Sequence, residues 1–230
     1  MSDSRCRCCD PTDAPTTDRP ASTDRWLDER PAGDASLPPD VADRMNEFYG
    51  TSIGTIDEFV AATRVATGGG AIAREDLCHV EVETPHVART AGERHHFRCF
   101  LDGIALAFIA EEPVEISTVS PSGAPIELDA TPDGDVAATP SEAVMSLGIA
   151  ADVATGDDTA SVDDAATGDD TAHVDGAPAV EAVYGAVCPA VKAFPSREHY
   201  EGWAAGVDAA TVGLPLPLGA SIAAALTGER

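Results

Sequence analysis

Twelve consecutive residues, 99–110, carry a single charge, the carboxylate of Asp102. The run is too short to span a bilayer and too apolar for a solvent-facing element, so it predicts a buried helix. A buried helix needs a chain able to cover it. The 230 residues suit one domain, or one domain with a small appendage, and 43% hydrophobic content argues against wholesale disorder. Pro38-Pro39 followed by Val41, Met45 and Phe48 predicts a first helix. Thr55 and Glu58 have capping-box spacing ahead of Ile56, Phe59, Val60 and Thr63, and Gly68-Gly69-Gly70 ends that second helix. From Leu77 the period changes to two. Alternation over 79–83 and around 96–99 predicts antiparallel strands joined across 89–93, and 114–119 with 126–130 predicts a hairpin about Ser122-Gly123. A strand is expected over 143–147, a buried strand carrying Cys188-Pro189 over 183–194, a helix capped by Ser196 with Tyr200 and Trp203, and a last helix over 220–226. The expected class is α+β: small antiparallel sheets flanked by helices, with a short helical N-terminal region.

Three regions are expected. Residues 1–36, rich in Asp, Pro, Thr, Ser and Arg, read as a disordered, Cys-containing acidic arm. Residues 37–70 form the helical region, and 71–230 form the α+β core with an acidic insert at about 150–179. Within that insert a twelve-residue unit is nearly duplicated over 154–177. Its Asp and Gly do not follow an EF-hand ladder, because no bidentate Glu closes the loop. The net charge is −26, with 40 acidic residues against 14 basic, only one of them a lysine (Lys192). This balance argues against nucleic acid and anionic membrane as partners. It suits a salt-rich cytoplasm, where concentrated ions screen carboxylate repulsion. The first residues lack the apolar segment of a secretory signal, so the expected location is cytoplasmic.

Chemistry concentrates on the six cysteines, which a cytoplasmic setting keeps reduced: Cys6, Cys8, Cys9, Cys78, Cys99 and Cys188. If a helix begins at Cys99, Asp102 shares its face one turn on, and the helix N-terminus favours the thiolate. A carboxylate in so apolar a run is costly unless paired, metal-bound or kept for a task. A helix cap is the plainer reading of Asp102, and a small core residue is the plainer reading of Cys188. Cys6, Cys8 and Cys9 can pass a soft metal between thiolates, or be incidental to an unstructured tail. Cys78-His79 is a possible metal pair. Zinc held by Cys99, Cys188 and a histidine such as His95 or His96 lacks a supporting CxxC or HExxH motif.

Several pieces taken together resemble the organomercurial (alkylmercury) lyase family, the MerB type. They are Thr84-Pro85-His86, Phe97-Arg98-Cys99-Phe100-Leu101-Asp102, Ser122-Gly123-Ala124-Pro125, Cys188-Pro189, Phe194-Pro195-Ser196 and Trp203. The resemblance runs from about Leu77 to Trp203, around the acidic insert. It implies a lyase that cleaves carbon–mercury bonds by protonolysis in mercury detoxification, with Cys99, Asp102 and Cys188 both as catalytic residues and as ligands of the product Hg(II). It implies no organic cofactor, exogenous thiols for product release, and a mercuric reductase as a possible acceptor. The chain departs from the family in three places. Arg98 stands where the family usually has an aromatic residue, Cys188 is followed by Pro189 rather than by the second cysteine of some members, and the helical region is shorter than the family's three-helix, winged-helix-like domain. A thiolate metal carrier or sensor of the same fold is the rival reading. On either reading Cys99, Asp102 and Cys188 are expected to meet in one pocket, with Cys78 and the N-terminal trio elsewhere.

Overall fold

Pro39 occupies a helix position where its missing N–H costs nothing, and α1 (Pro39–Tyr49) starts there and ends at Gly50 in the left-handed region, φ 66°. In α2 (Ile56–Ala66) the capping box is realised: Thr55 accepts from the Glu58 backbone, and Glu58 accepts from the Thr55 N–H. This computed structural model describes residues 25–28, 32–150 and 177–228. The N-terminal trio Cys6, Cys8 and Cys9 and nearly all of the duplicated acidic unit lie outside the described residues.

The apolar run becomes α3 (Leu101–Ala110), whose Ile104, Leu106 and Ala107 are wholly buried. One side lies on a five-stranded antiparallel sheet of order β2-β1-β3-β4-β5, with β1 His86–Arg89, β2 Arg94–Phe97, β3 Val114–Val119, β4 Pro125–Ala130 and β5 Val136–Thr139. Gly103 makes this approach possible, because a Cβ there would come within 3.2 Å of Ile116 and 3.5 Å of Ala88. The other side packs on α6 (Leu216–Thr227), which explains why α3 is apolar all round. A second antiparallel sheet, β7-β6-β8, comprises β6 Val144–Ala150, β7 Ala193–Phe194 and β8 Ala209–Pro215. The helices α4 (Val180–Val187) and α5 (Arg197–Ala204) complete an α+β fold, as expected. Residues of α1 and α2 share one hydrophobic cluster with α3, β6 and α6. None of the helices among the described residues is long and apolar enough to cross a membrane.

Four local expectations are corrected. Residues 183–194 are not a strand: α4 runs into a 3-10 turn over Cys188–Ala190, and only Ala193–Phe194 pairs with β6. Residues 79–83 make one isolated bridge, His79 to Phe97, and the true partner of β2 is β1. Packed structure starts before Leu37, since Leu27 and Ala35 are buried, Trp26 bridges Gly213, and the Arg197 guanidinium lies 4.5 Å over the Trp26 ring. The C-terminal helix begins at Leu216, directly after the unforeseen β8.

Two predictions concern this scaffold. Gly148 on β6 faces Thr211 on β8, and an added Cβ would lie 2.8 Å from the Thr211 Cα and clash with the Ala210 carbonyl oxygen. Backbone cannot swing aside as a side chain can. Gly148→Ala is therefore expected to cost about 1–3 kcal/mol or more, read as a fall in the denaturant midpoint. His86 is buried with its Nδ1 2.7 Å from the Thr118 hydroxyl. Burial, with a smaller repulsion from Lys192, lowers its pKa from 6.5 to about 4. The unfolded chain takes up this proton near pH 6.5 and the folded chain only near 4, so stability falls as pH drops between those values. The loss approaches about 3 kcal/mol at pH 4. The measurement is urea unfolding of wild type and His86→Gln across pH 4–7; the gap between the two should change over that window.

Candidate active site

The site is assembled at the N-terminal end of α3. Cys99 and Phe100 lead into the helix, and Asp102 sits in its first turn. The Cys99 thiol donates to Asp102 Oδ2 at 3.7 Å, so the shared helix face inferred from their spacing is realised. The Arg98 N–H donates to the Cys78 carbonyl at 3.1 Å and the Val80 N–H donates to the His96 carbonyl at 2.9 Å. These bonds lay residues 78–80 alongside 96–98 and bring Cys78 up to Cys99's neighbourhood. Cys188 reaches the cluster from the end of α4. It is fixed by Ser146 on β6, whose buried hydroxyl donates to the Ala190 carbonyl at 2.7 Å and accepts from the Lys192 N–H at 3.1 Å.

One ligand atom each from Cys78, Asp102 and Cys188 lies within 4.8 Å of the other two, and Cys188 is in hydrogen-bonding contact with both Cys78 and Cys99. The structure thus brings together Cys99, Asp102 and Cys188, the three residues picked out from the sequence. It corrects one exclusion: Cys78 belongs to the cluster. Cys78, Cys99 and Cys188 are all buried and unbridged by disulfides. No histidine joins the cluster among the described residues, which removes the support for a zinc site built on one.

Burial raises the Asp102 pKa from 3.8 to about 7, opposed by hydrogen bonds from the Cys78 backbone and the Cys99 thiol. The carboxyl therefore exchanges a proton near neutrality, which a helix cap has no need to do. Hydrogen bonds with Cys78 and Cys99, then burial, raise the Cys188 pKa. The same hydrogen bond with Cys188 lowers that of Cys78, against the opposing effects of burial and of Asp102.

A pocket of about 290 Å³ opens beside the cluster, lined by Leu77, Cys78, His79, Arg98 and Tyr184 among others. Arg98 is exposed there and lines the pocket. Tyr184 was not singled out by the sequence. Its hydroxyl is buried without a hydrogen-bond partner, and burial and then the charge of Asp102 raise its pKa. Its position one helical turn before Cys188 is the signal that could have found it.

Residues 80–164, rather more than a third of the chain, match the family model for alkylmercury lyase, MerB. The matched stretch contains Cys99 and Asp102, while Cys78 and Cys188 lie outside it. Among solved structures, the crystal structure of the mercury-bound form of MerB2 is similar at a TM-score of 0.44 and 15% identity, covering 83% of this chain and 91% of that one. A search of curated proteins finds no match.

Proposed function

We propose that this protein is an organomercurial lyase that cleaves carbon–mercury bonds by protonolysis, releasing a hydrocarbon and Hg(II). The observation that carries the reading is the convergence of Cys99, Asp102 and Cys188 in one buried site, on the chain whose 80–164 stretch matches alkylmercury lyase. Mercury is a soft acceptor, and thiolates are its natural ligands. One cysteine of the Cys99–Cys188 pair attacks the mercury of R–Hg⁺ as thiolate. The second coordinates and surrenders its proton to Asp102, which lies 3.7 Å from the Cys99 sulfur. Asp102 delivers that proton to the departing carbon. The C–Hg bond breaks, a C–H bond and two Hg–S bonds form, and mercury stays in the +2 state. Phe100, Leu101 and Ile104, buried in the same apolar stretch as Cys99 and Asp102, give the carboxyl a setting that keeps bulk water from the transferred proton.

The reaction needs no organic cofactor. Exogenous thiols remove Hg(II), and a mercuric reductase is a fitting acceptor in a cytoplasm rich in salt. The N-terminal trio Cys6, Cys8 and Cys9 offers accessory capture of mercury. The test mixes the protein with phenylmercury in concentrated KCl with excess thiol and measures bound mercury and released benzene separately. Benzene formed catalytically supports the lyase. Binding without benzene assigns the chain to thiolate carriers or sensors.

A further inference from the structure

We infer that Cys78 is a third mercury ligand, making this a three-thiol site that holds the product Hg(II) between Cys78, Cys99 and Cys188. The inference deepens the proposed function and rests on its placement of mercury. Protonolysis by the scheme above uses two thiols and a carboxyl. The structure supplies one thiol more, and it is no bystander: the Cys78 sulfur lies within 4.8 Å of both the Cys188 sulfur and an Asp102 oxygen. Backbone pairing to Arg98 fixes it there, so its place does not depend on a flexible side chain alone. Cys78 also lines the pocket beside the cluster, together with Arg98 and Tyr184. It is therefore placed to meet mercury on the way in and to hand Hg(II) to an incoming thiol on the way out. The unpartnered Tyr184 hydroxyl at the same pocket is a hydrogen-bond donor available to a thiolate bound there.

When the hydrocarbon has left, Hg(II) holds two Hg–S bonds. The Cys78 sulfur adds a third as its S–H proton goes to solvent, no other bond breaks, and no electrons transfer. The ligand class is a soft, thiophilic dication.

The test uses the full chain with one equivalent of inorganic Hg(II) and counts sulfur neighbours by X-ray absorption at the mercury edge. Three sulfurs are expected in wild type and in a Cys6→Ser, Cys8→Ser, Cys9→Ser variant, and two in Cys78→Ser and in Cys78→Ala. Against a competing small thiol, the Cys78 variants should retain Hg(II) less well by at least the roughly 10–100-fold that loss of even an outer-shell partner costs. Two sulfurs in wild type would overturn the inference, without relying on any variant's folding. So would three sulfurs in Cys78→Ser together with two in the N-terminal variant, which would place the third thiol in the arm. Because inorganic Hg(II) needs no bond cleavage, a wild type that shows three sulfurs yet releases no benzene would sink the lyase reading and leave this site standing.

Discussion

Cys188→Ser is expected to eliminate benzene release from phenylmercury, a drop of at least about 10³-fold, the scale on which loss of a central catalytic group is felt. Cys188 is the residue in contact with both other thiols, and it lies within 4.8 Å of the Cys78 and Asp102 ligand atoms. A serine hydroxyl keeps the shape of the side chain but is a hard, weak donor toward mercury. The two sulfurs left, Cys78 and Cys99, each approach Asp102 but lose the sulfur that contacts them both. Capture of phenylmercury should weaken with the lost sulfur, while the thermal midpoint should move little, because Ser and Cys differ by one buried atom. Single-turnover benzene release, measured beside bound mercury and the unfolding midpoint, checks all three. Release within tenfold of wild type would remove Cys188 from the chemistry.

What the sequence disclosed of this site was its local part. Cys99 and Asp102 are three residues apart at the start of a helix whose apolar composition is explained by burial on two sides, so their convergence needed only helix geometry. The capping box of α2 and the β3–β4 hairpin were legible for the same reason, since each is encoded within a few neighbouring residues. Residues 183–194 misled because a short apolar run rich in Val and Ala suits a buried strand or a buried helix equally well. Val180, Val183 and Val187 carry helical spacing, and Pro189 follows where the helix gives way to a 3-10 turn. Burial on both faces likewise hid β8, whose Ala210, Val212 and Leu214 and whose Thr211 and Gly213 all lie inside, leaving no alternation to read. Cys78 was out of reach of local reasoning. Its partners arrive through backbone bonds to 96–98 and through the end of α4 more than a hundred residues on, and no spacing rule spans that distance.

Asp102→Ala should separate the two halves of the reaction. With Cys78, Cys99 and Cys188 intact, organomercury still has sulfur to bind, so bound phenylmercury should stay near one equivalent. The proton then lacks an acceptor beside the Cys99 sulfur and a donor beside the departing carbon, and benzene release should fall by about 10²–10⁴-fold, the usual contribution of a positioned acid–base group. Loss of folding cannot mimic this result, because the wild-type carboxyl weighs against the fold. In the unfolded chain it ionises near 3.8, whereas burial holds it protonated to about 7. The cost of keeping it therefore grows as pH rises from 3.8 to 7 and is complete above that. Alanine relieves this cost and leaves a small cavity instead, so the variant should be about as stable as wild type at pH 7.5 and relatively less favoured at pH 4. Urea unfolding at both pH values, run with the phenylmercury assay, makes the comparison. A variant that folds, binds phenylmercury and still releases benzene at the wild-type rate would show that the proton reaches carbon by a route that bypasses Asp102.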